Sequence, residues 1–459
     1  MMPMTVGEFA RRSGATLVGV EPETTFYRFA LDSRDAGPGS IFLAIEGARV
    51  DGHNYVELAI ANGAVTVVVE HEVEGPHILV ENLVDALAKM AESFRDEFDG
   101  IVIGITGSAG KTSTKELLAA ALSPLGKIGK TSGNRNTEFT VPLAWAELKG
   151  VEAAMIVEMS MRGLGQIAHL AAISKPSVGI ITNVGSNHAE KVGSILGVVM
   201  AKSELFEALP PKGLAIFEYE CDFAETLRQS ANCEQATFGW TAGADAQLTS
   251  YKPISWQESK FSILIDDQKS QATIPTVGKH MAQNAAAAIL CAVRLGVSIQ
   301  DACDAIAQTE LPEMRMQPIS ANGATIVLDN YNAAPQSFVA AIETLASLPS
   351  AGRRIVVAGE MKELGDESEA GHREVGRALA LAKVDDVIFF GEAMQSALEE
   401  AGECGLERQR MVVASSLDDI SSQMRELRSG DTVLVKGSRA LELENAFAFL
   451  LNEREAKQA

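Results

Sequence analysis

The chain has 459 residues, of which 46% are hydrophobic and 22% charged, with a net charge of -22. Its length is about three times that of a typical domain, so two to four domains are expected, and its apolar content excludes a disordered chain. Such an excess of acid repels phosphate backbones, and with no basic patch to offset it, general nucleic-acid binding is excluded.

No apolar run reaches the ~18 residues needed to span a bilayer. The longest, Ala285 to Val293, is stopped by Arg294. Ala15 to Val20 is too short for a signal-peptide core and runs into Glu21, so no secretory leader is expected. The five cysteines (Cys221, Cys233, Cys291, Cys303 and Cys404) are odd in number and lack CxxC spacing. That argues against a disulfide framework or a zinc site and suits a reducing cytoplasm.

In chain order, a first domain is expected over 1–98. Its short apolar runs, Ile41 to Ile45 and Ala64 to Val69, are separated by Gly, Pro and Asp, and the helical spacing of Leu83, Leu87, Met90, Ala91, Phe94 and Phe98 predicts a closing helix. A second domain is expected over 99–312. There the runs IVIGIT, AAMIVEMS, SVGIITNV and LAIFEY alternate with helical stretches, the pattern of a mainly parallel sheet covered by helices. Between Asp245 and Thr276 a two-fold, Ser/Thr-rich alternation predicts appended antiparallel strands, followed by a helix over Asn284 to Leu295. Leu311-Pro312-Glu313-Met314 is the expected hinge. A third domain over 313–459 restarts the rhythm with TIVLDN, RRIVVAGE, DDVIFFG and TVLVKGS, each expected to lead into a helix, as in a doubly wound unit; 452–459 reads as a solvated tail.

The sharpest motif is TGSAGKTS. A strand-like run ends at Thr106, a glycine turn follows through Gly107, Ser108, Ala109 and Gly110, and a helix is predicted from Thr112. The backbone N–H groups of such a turn and helix start cradle phosphate oxygens. Lys111 would neutralise the outer phosphates of ATP, the Thr112 hydroxyl would hold Mg²⁺, and Ser113 continues the motif. A Gly-Lys-Ser/Thr triplet alone arises by chance in roughly one chain of this length in five, so the flanking strand and helix carry the assignment. Ile105 stands where the common GxxxxGK form has its first glycine, so this is the shorter TGxxGKTS form.

Glu158 ends an apolar run, and His188 follows another beside Asn183, both at expected strand ends facing the ligand crevice of an α/β sheet. Either could instead be a plain surface or core residue. Lys202, in MAKSELFEAL, reads by itself as a helix-surface lysine, and the polar stretch Gly133 to Pro142 either serves a site or merely connects.

TGSAGKTS, EMSMRGLGQI, TNVGSNH with AKSELF, GKHMAQNAAAA, MRMQ, LDNYNAAP, GEMKELG and VLVKGSRALELE, in this order, make the chain similar to the Mur ligases over nearly its whole length. The resemblance implies an α/β, three-domain architecture: a UDP-sugar-binding domain, a central P-loop ATPase domain of mainly parallel sheet, and a C-terminal Rossmann-like domain. DNYNAAP with GEMKELG resembles the branch that joins D-alanyl-D-alanine to a UDP-N-acetylmuramoyl tripeptide through an acyl phosphate, in peptidoglycan precursor synthesis.

By the same resemblance, Lys111, His188 and Lys202 are expected to be catalytic. Thr112 and Glu158 would hold one Mg²⁺ and His188 would help with a second, with Lys202 carbamylated and also a ligand. Asn284 would contact adenine, and Arg315 and Asp329 the ribose and phosphates of ATP. Ser33, Arg34 and the turn Asp51, Gly52, His53 would bind the UDP group. A cytoplasmic monomer is expected. Thr137, Thr140, Ser160, Asn330, Ala334 and Glu360 replace the Asn, Gly, Gly, Ser, Asn and Asp of the family pattern, which bears on the amino-substrate site.

Two rivals remain. The sister ligase that adds the third amino acid, diaminopimelate or lysine, carries an Asp-Asn-Pro-Arg stretch, whereas Tyr331 follows Asp329-Asn330 here. A regulatory nucleotide-binding protein would have no need of Glu158, His188 and Lys202 together.

Overall fold

The computed structural model describes residues 1–47, 50–185 and 189–450. The expected tail, 452–459, lies outside them. The chain divides into two compact units: Met1–Gly104 with Gly126–Ser160 and Gly165–Val178, and Ile105–Leu125 with Met161–Leu164 and Gly179–Ala459.

The first unit contains a five-stranded sheet in the order Thr16–Val18, His77–Leu79, Thr66–Val69, Ser40–Leu43, Arg28–Ala30, parallel except for its first pair. Ile41, Leu43 and Val68 join one apolar cluster and Phe42, Val67 and Val69 the other. With both faces covered, these strands read as unbroken apolar runs rather than alternating ones. The predicted closing helix is Leu83–Asp96; the Asn82 side chain caps it by accepting the Asp85 N–H, and Leu83, Leu87, Met90 and Ala91 form its buried stripe. The unit also holds the parallel strands Ile128–Lys130 and Ala154–Glu158, beside the start of Ile101–Thr106.

In the second unit the strands run in space from Val178–Ile181 through Leu214–Glu218 and Glu234–Gly239 to three antiparallel strands, Ala246–Ser255, Glu258–Ile265 and Gln268–Ile274. The antiparallel extension falls where two-fold alternation predicts it. The helix expected over Asn284 to Leu295 is longer, Lys279–Arg294. Its apolar run hides the start, because the first turn holds Lys279, His280 and Gln283, and Gly278 at φ 122 supplies the break. Ala285–Ala288 are fully buried, and their small side chains let the helix pack closely against Lys111–Ala121.

A second sheet of six strands follows, in the order Gln317–Ala321, Ala324–Leu328, Thr432–Lys436, Arg354–Gly359, Asp386–Phe390, Met411–Ala414, parallel except for its first pair. The predicted doubly wound pattern identifies its four inner strands. The two outer ones, QPISA and MVVA, carry weaker apolar signals because an edge strand is covered less completely. After TVLVKGS come two 3₁₀ turns, Arg439–Leu441 and Leu443–Phe447, which flank Glu442 at φ 48, and then helical residues at 448–450, where the described residues end. Among the described residues no helix is long and apolar enough to cross a membrane.

Candidate active site

The glycine turn lies between the strand Ile101–Thr106 and the helix Lys111–Ala121, which starts one residue before its predicted first residue. The end of the neighbouring strand braces it. Thr182 N–H donates to the Thr106 carbonyl (3.0 Å), and Ser108 N–H to the Asn183 carbonyl (3.1 Å). Ala109 N–H donates to Asn183 Oδ1 (2.8 Å), while Thr182 Oγ1 donates to the Ala109 carbonyl (2.5 Å) and Gly185 N–H to Ser108 Oγ (2.8 Å). The first N–H groups of the helix point into this cradle, as at any helix start.

Both glycines are required by space. A Cβ on Gly107 (φ 151) would lie 1.9 Å from Thr182 Oγ1, and one on Gly110 (φ 79) 2.6 Å from Asn284 Oδ1. Gly107→Ala is therefore expected to cost about 1–3 kcal/mol of stability by overpacking and to weaken nucleotide binding roughly 10-fold. Urea denaturation and calorimetry with ADP check this; a variant that matches the parent in both would mean the turn is not tightly set.

Lys111 Nζ donates to the Gly107 carbonyl at 2.7 Å, folding back over the turn. Thr112 Oγ1 accepts from Arg315 Nη2 at 2.9 Å, so Arg315 reaches the phosphate loop across 203 positions of sequence. Its guanidinium lies 4.5 Å from the centre of the Tyr331 ring, and its Nε is sealed from solvent with no partner among the described residues. Asn284 is buried against Gly110. Asp329 is turned inward: Oδ1 accepts the Met316 N–H (3.0 Å) and Oδ2 the Lys436 ammonium (2.6 Å).

Lys202 is 1% exposed on the helix Ile195–Glu207, the opposite of its solvated-surface reading. Burial first, then the positive charge of Lys111, pushes its amine well below the usual lysine range, toward the neutral form. His188 lies outside the described residues.

Glu158 belongs to the first unit. It closes the strand Ala154–Glu158, is 1% exposed, and its Oε1 accepts from Asn136 Nδ2 at 2.8 Å. Ser160 Oγ donates to Asn136 Oδ1 (2.9 Å) and so fixes which way that amide faces. Within the stretch Gly133 to Pro142, Asn136 thus orients the Glu158 carboxylate. The other departures have local partners too: Thr137 N–H donates to Thr140 Oγ1, Asn330 Nδ2 to Glu444 Oε2, and Glu360 pairs with Lys362.

The first-domain residues also belong to the first unit. Ser33 and Arg34 lie on the 3₁₀ turn Ser33–Asp35, and Asp51 caps the turn Gly52–Tyr55. The helix Val56–Ala61 packs against both turns. A Cβ on Gly52 would lie 2.6 Å from the Ile45 amide nitrogen. Both ring nitrogens of His53 are engaged, Nδ1 with Asp51 Oδ1 (2.7 Å) and Nε2 as acceptor for the Glu70 N–H (3.0 Å). His53 therefore shapes this turn, whereas the Arg34 side chain is 83% exposed.

Three residues were not singled out as site residues by sequence. Thr182 and Asn183 hold the glycine turn, and Lys436 holds Asp329. The strand-end TNVGSNH motif pointed at the first two without giving them this task, and Lys436 sits in VLVKGSRALELE.

Comparison with known proteins bears on the family and the fold. Three family models match in succession: "Mur ligase family, catalytic domain" over 25–95, "Mur ligase middle domain" over 105–292, and "Mur ligase, glutamate ligase domain" over 314–439. The chain is 32% identical to UDP-N-acetylmuramoyl-tripeptide–D-alanyl-D-alanine ligase of Bacillus subtilis (strain 168), over 97% of each chain. It is similar to a crystal structure of MurF from Acinetobacter baumannii (TM-score 0.87, 29% identity, covering 98% of this chain and 99% of that one). It is similar as well to MurF ligase from Thermotoga maritima in complex with ADP (TM-score 0.80, 30% identity, covering 94% and 98%).

Proposed function

The chain belongs to the Mur ligase family, and on that premise we propose that it is an ATP-dependent, ADP-forming ligase that joins D-alanyl-D-alanine to a UDP-N-acetylmuramoyl tripeptide in peptidoglycan precursor synthesis. The observation that supports this reading is the Arg315–Thr112 hydrogen bond, which joins an arginine of the C-terminal Rossmann-like part to the start of the helix after the glycine turn proposed to grip phosphate. The proposed domains are 1–98 for the UDP-sugar, 99–312 for ATP and 313–459 for closure over the nucleotide. The enzyme is proposed to act in the cytoplasm as a monomer.

The terminal carboxylate of the UDP-sugar peptide attacks the γ-phosphorus of ATP; an O–P bond forms and ADP leaves with the electrons of the bond that breaks. The amine of D-alanyl-D-alanine then attacks the acyl carbonyl. The amide C–N bond forms, phosphate departs, and the amine gives up a proton. Lys111, with Gly107, Ser108, Ala109, Gly110, Thr112 and Ser113, holds the phosphates. Arg315 adds a second cation, its sealed Nε lacking the acceptor that a phosphate oxygen supplies. Asn284 is proposed to meet adenine; Asp329, expected with Arg315 at the ribose and phosphates, has one oxygen on the Met316 N–H and the other on Lys436, so its proposed part there is to set the turn that carries Arg315. Ser33, Arg34, Asp51, Gly52 and His53 form the proposed UDP region, with the exposed Arg34 suited to the diphosphate.

Thr112, Glu158, His188 and a carbamylated Lys202 are the proposed ligands of two Mg²⁺ ions. A hydroxyl and carboxylate oxygens are the hard donors such a cation prefers, and the buried, hydrogen-bonded Glu158 fits that part. When bound, Mg²⁺ supplies positive charge that lowers the repulsion between a carboxylate and a triphosphate.

A ligation assay tests the whole. Purified protein is given ATP, Mg²⁺, bicarbonate and a panel of UDP-sugar peptides and amino substrates, with mass-spectrometric readout. One phosphate released per D-alanyl-D-alanine joined to the tripeptide is the expected result. Addition of a single diamino acid to the dipeptide precursor would move the assignment to the sister ligase.

A further inference from the structure

Lys436 ends the strand Thr432–Lys436 and is 2% exposed. An ammonium has three N–H donors, and three oxygens surround this one: Asp329 Oδ2 at 2.6 Å, the Asp329 carbonyl at 3.1 Å and the Asn332 carbonyl at 3.2 Å. Its donors are spent inside the fold, so it has none to offer a ligand. The other oxygen of Asp329 accepts the Met316 N–H at 3.0 Å. Met314 and Met316 both sit at positive φ, 56 and 51, so the backbone on either side of Arg315 is in a region L-residues avoid and needs outside support. From this turn Arg315 Nη2 reaches Thr112 Oγ1, and the Arg315 guanidinium lies over Tyr331, whose N–H donates to the Met314 carbonyl at 3.3 Å.

We propose that Lys436 is a positioning residue of the phosphate site: by clamping Asp329 and Asn332 it holds the turn 314–316 and Tyr331 so that Arg315 is aimed at Thr112 and the nucleotide phosphates. The inference rests on the nucleotide reading of the glycine turn and adds a residue that acts on the nucleotide only through Arg315. A buried ion pair that served stability alone would lower the melting temperature and leave nucleotide affinity untouched. A positioning role instead predicts energetic coupling to Arg315.

The test is a double-mutant cycle with the full chain: parent, R315A, K436M and the double variant, each titrated calorimetrically with ADP and Mg²⁺ and assayed for the KM and kcat of ATP, with circular dichroism to confirm folding. K436M is expected to weaken ADP binding roughly 10-fold and to raise the KM for ATP more than it lowers kcat. The double variant should bind within about 3-fold of R315A alone, because Arg315 is the route by which Lys436 acts. D329N keeps Oδ1 as the acceptor for the Met316 N–H but puts an amide donor in place of Oδ2, so it removes both the charge and the hydrogen bond that hold Lys436; it runs through the same cycle and carries the comparison if K436M does not fold. Its effect should likewise vanish in the R315A background. Parent-like ADP affinity in a folded K436M or D329N, or losses that multiply in the double variants, would overturn the inference. A parent chain that itself ignores ADP would bring down the nucleotide reading, and this inference with it.

Discussion

Lys111→Ala removes turnover, lowering kcat by about 10³-fold or more while leaving the fold intact. The reason is charge. An anionic carboxylate must approach an anionic triphosphate, and two unit charges 4 Å apart interact by roughly 1 kcal/mol in water and about 4 kcal/mol at the effective dielectric of a protein surface. Lys111 is the cation at the mouth of the glycine turn, with its ammonium 2.7 Å from the Gly107 carbonyl and Arg315 bonded to the next residue, Thr112. Arg315 would remain in the variant, so some nucleotide binding should survive when catalysis does not. Single-turnover measurement of ADP formation, alongside calorimetric ADP affinity, separates the two. A variant that turns over at the parental rate would show that this turn does not hold the reacting triphosphate.

Lys202→Ala is expected to be almost as severe, and short-chain carboxylic acids should partly restore it. Lys202 is buried with Lys111 as a charged neighbour, and both burial and that charge disfavour its ammonium form. A neutral amine attacks CO₂: a C–N bond forms, a proton is lost, and the product is a carbamate anion. An anion reverses the sign of the interaction with Lys111, turning repulsion into attraction, and offers oxygens to Mg²⁺. Removing the side chain leaves a space where acetate or formate can stand in for the carbamate, so activity should rise with acid concentration and saturate. Lys202→Arg, which keeps a fixed positive charge and fills the space, should stay inactive in the same buffers. Equal activity of the parent in bicarbonate-free and bicarbonate-rich buffer, together with no rescue of the alanine variant, would end the carbamate reading.

Much of this was legible in the chain before any fold was considered. The strand–glycine turn–helix pattern around Lys111 is local, so its geometry follows from neighbours in sequence. The four inner strands of the six-stranded sheet, and Ile101–Thr106, Ala154–Glu158, Val178–Ile181 and Leu214–Glu218 of the larger one, are buried along almost their whole length, which leaves unbroken apolar runs. Where cover is thinner the signal fails. The outer strands Gln317–Ala321 and Met411–Ala414 carry no apolar run long enough to predict them, and the polar residues at the start of Lys279–Arg294 shorten its predicted span.

Lys202 shows the deeper divide. Its neighbours in sequence suggest a solvated helix face, and only the family pattern marked it, yet the packed structure seals it beside Lys111. Asn136 and Ser160, which orient Glu158, and Lys436, which restrains Asp329, are tied to partners 22, 24 and 107 positions from one another in the chain.

The order of residues alone thus determined the α/β class, the three successive family segments and the strand–glycine turn–helix proposed to hold phosphate, because strand cover and turn chemistry are written in short stretches. Tertiary structure alone decided which lysine is buried beside another cation and pushed below its ordinary range, which carboxylate is braced, and how Arg315 comes to rest on Thr112. Burial and hydrogen bonding between distant segments arise only when the chain is packed, and no local pattern encodes them.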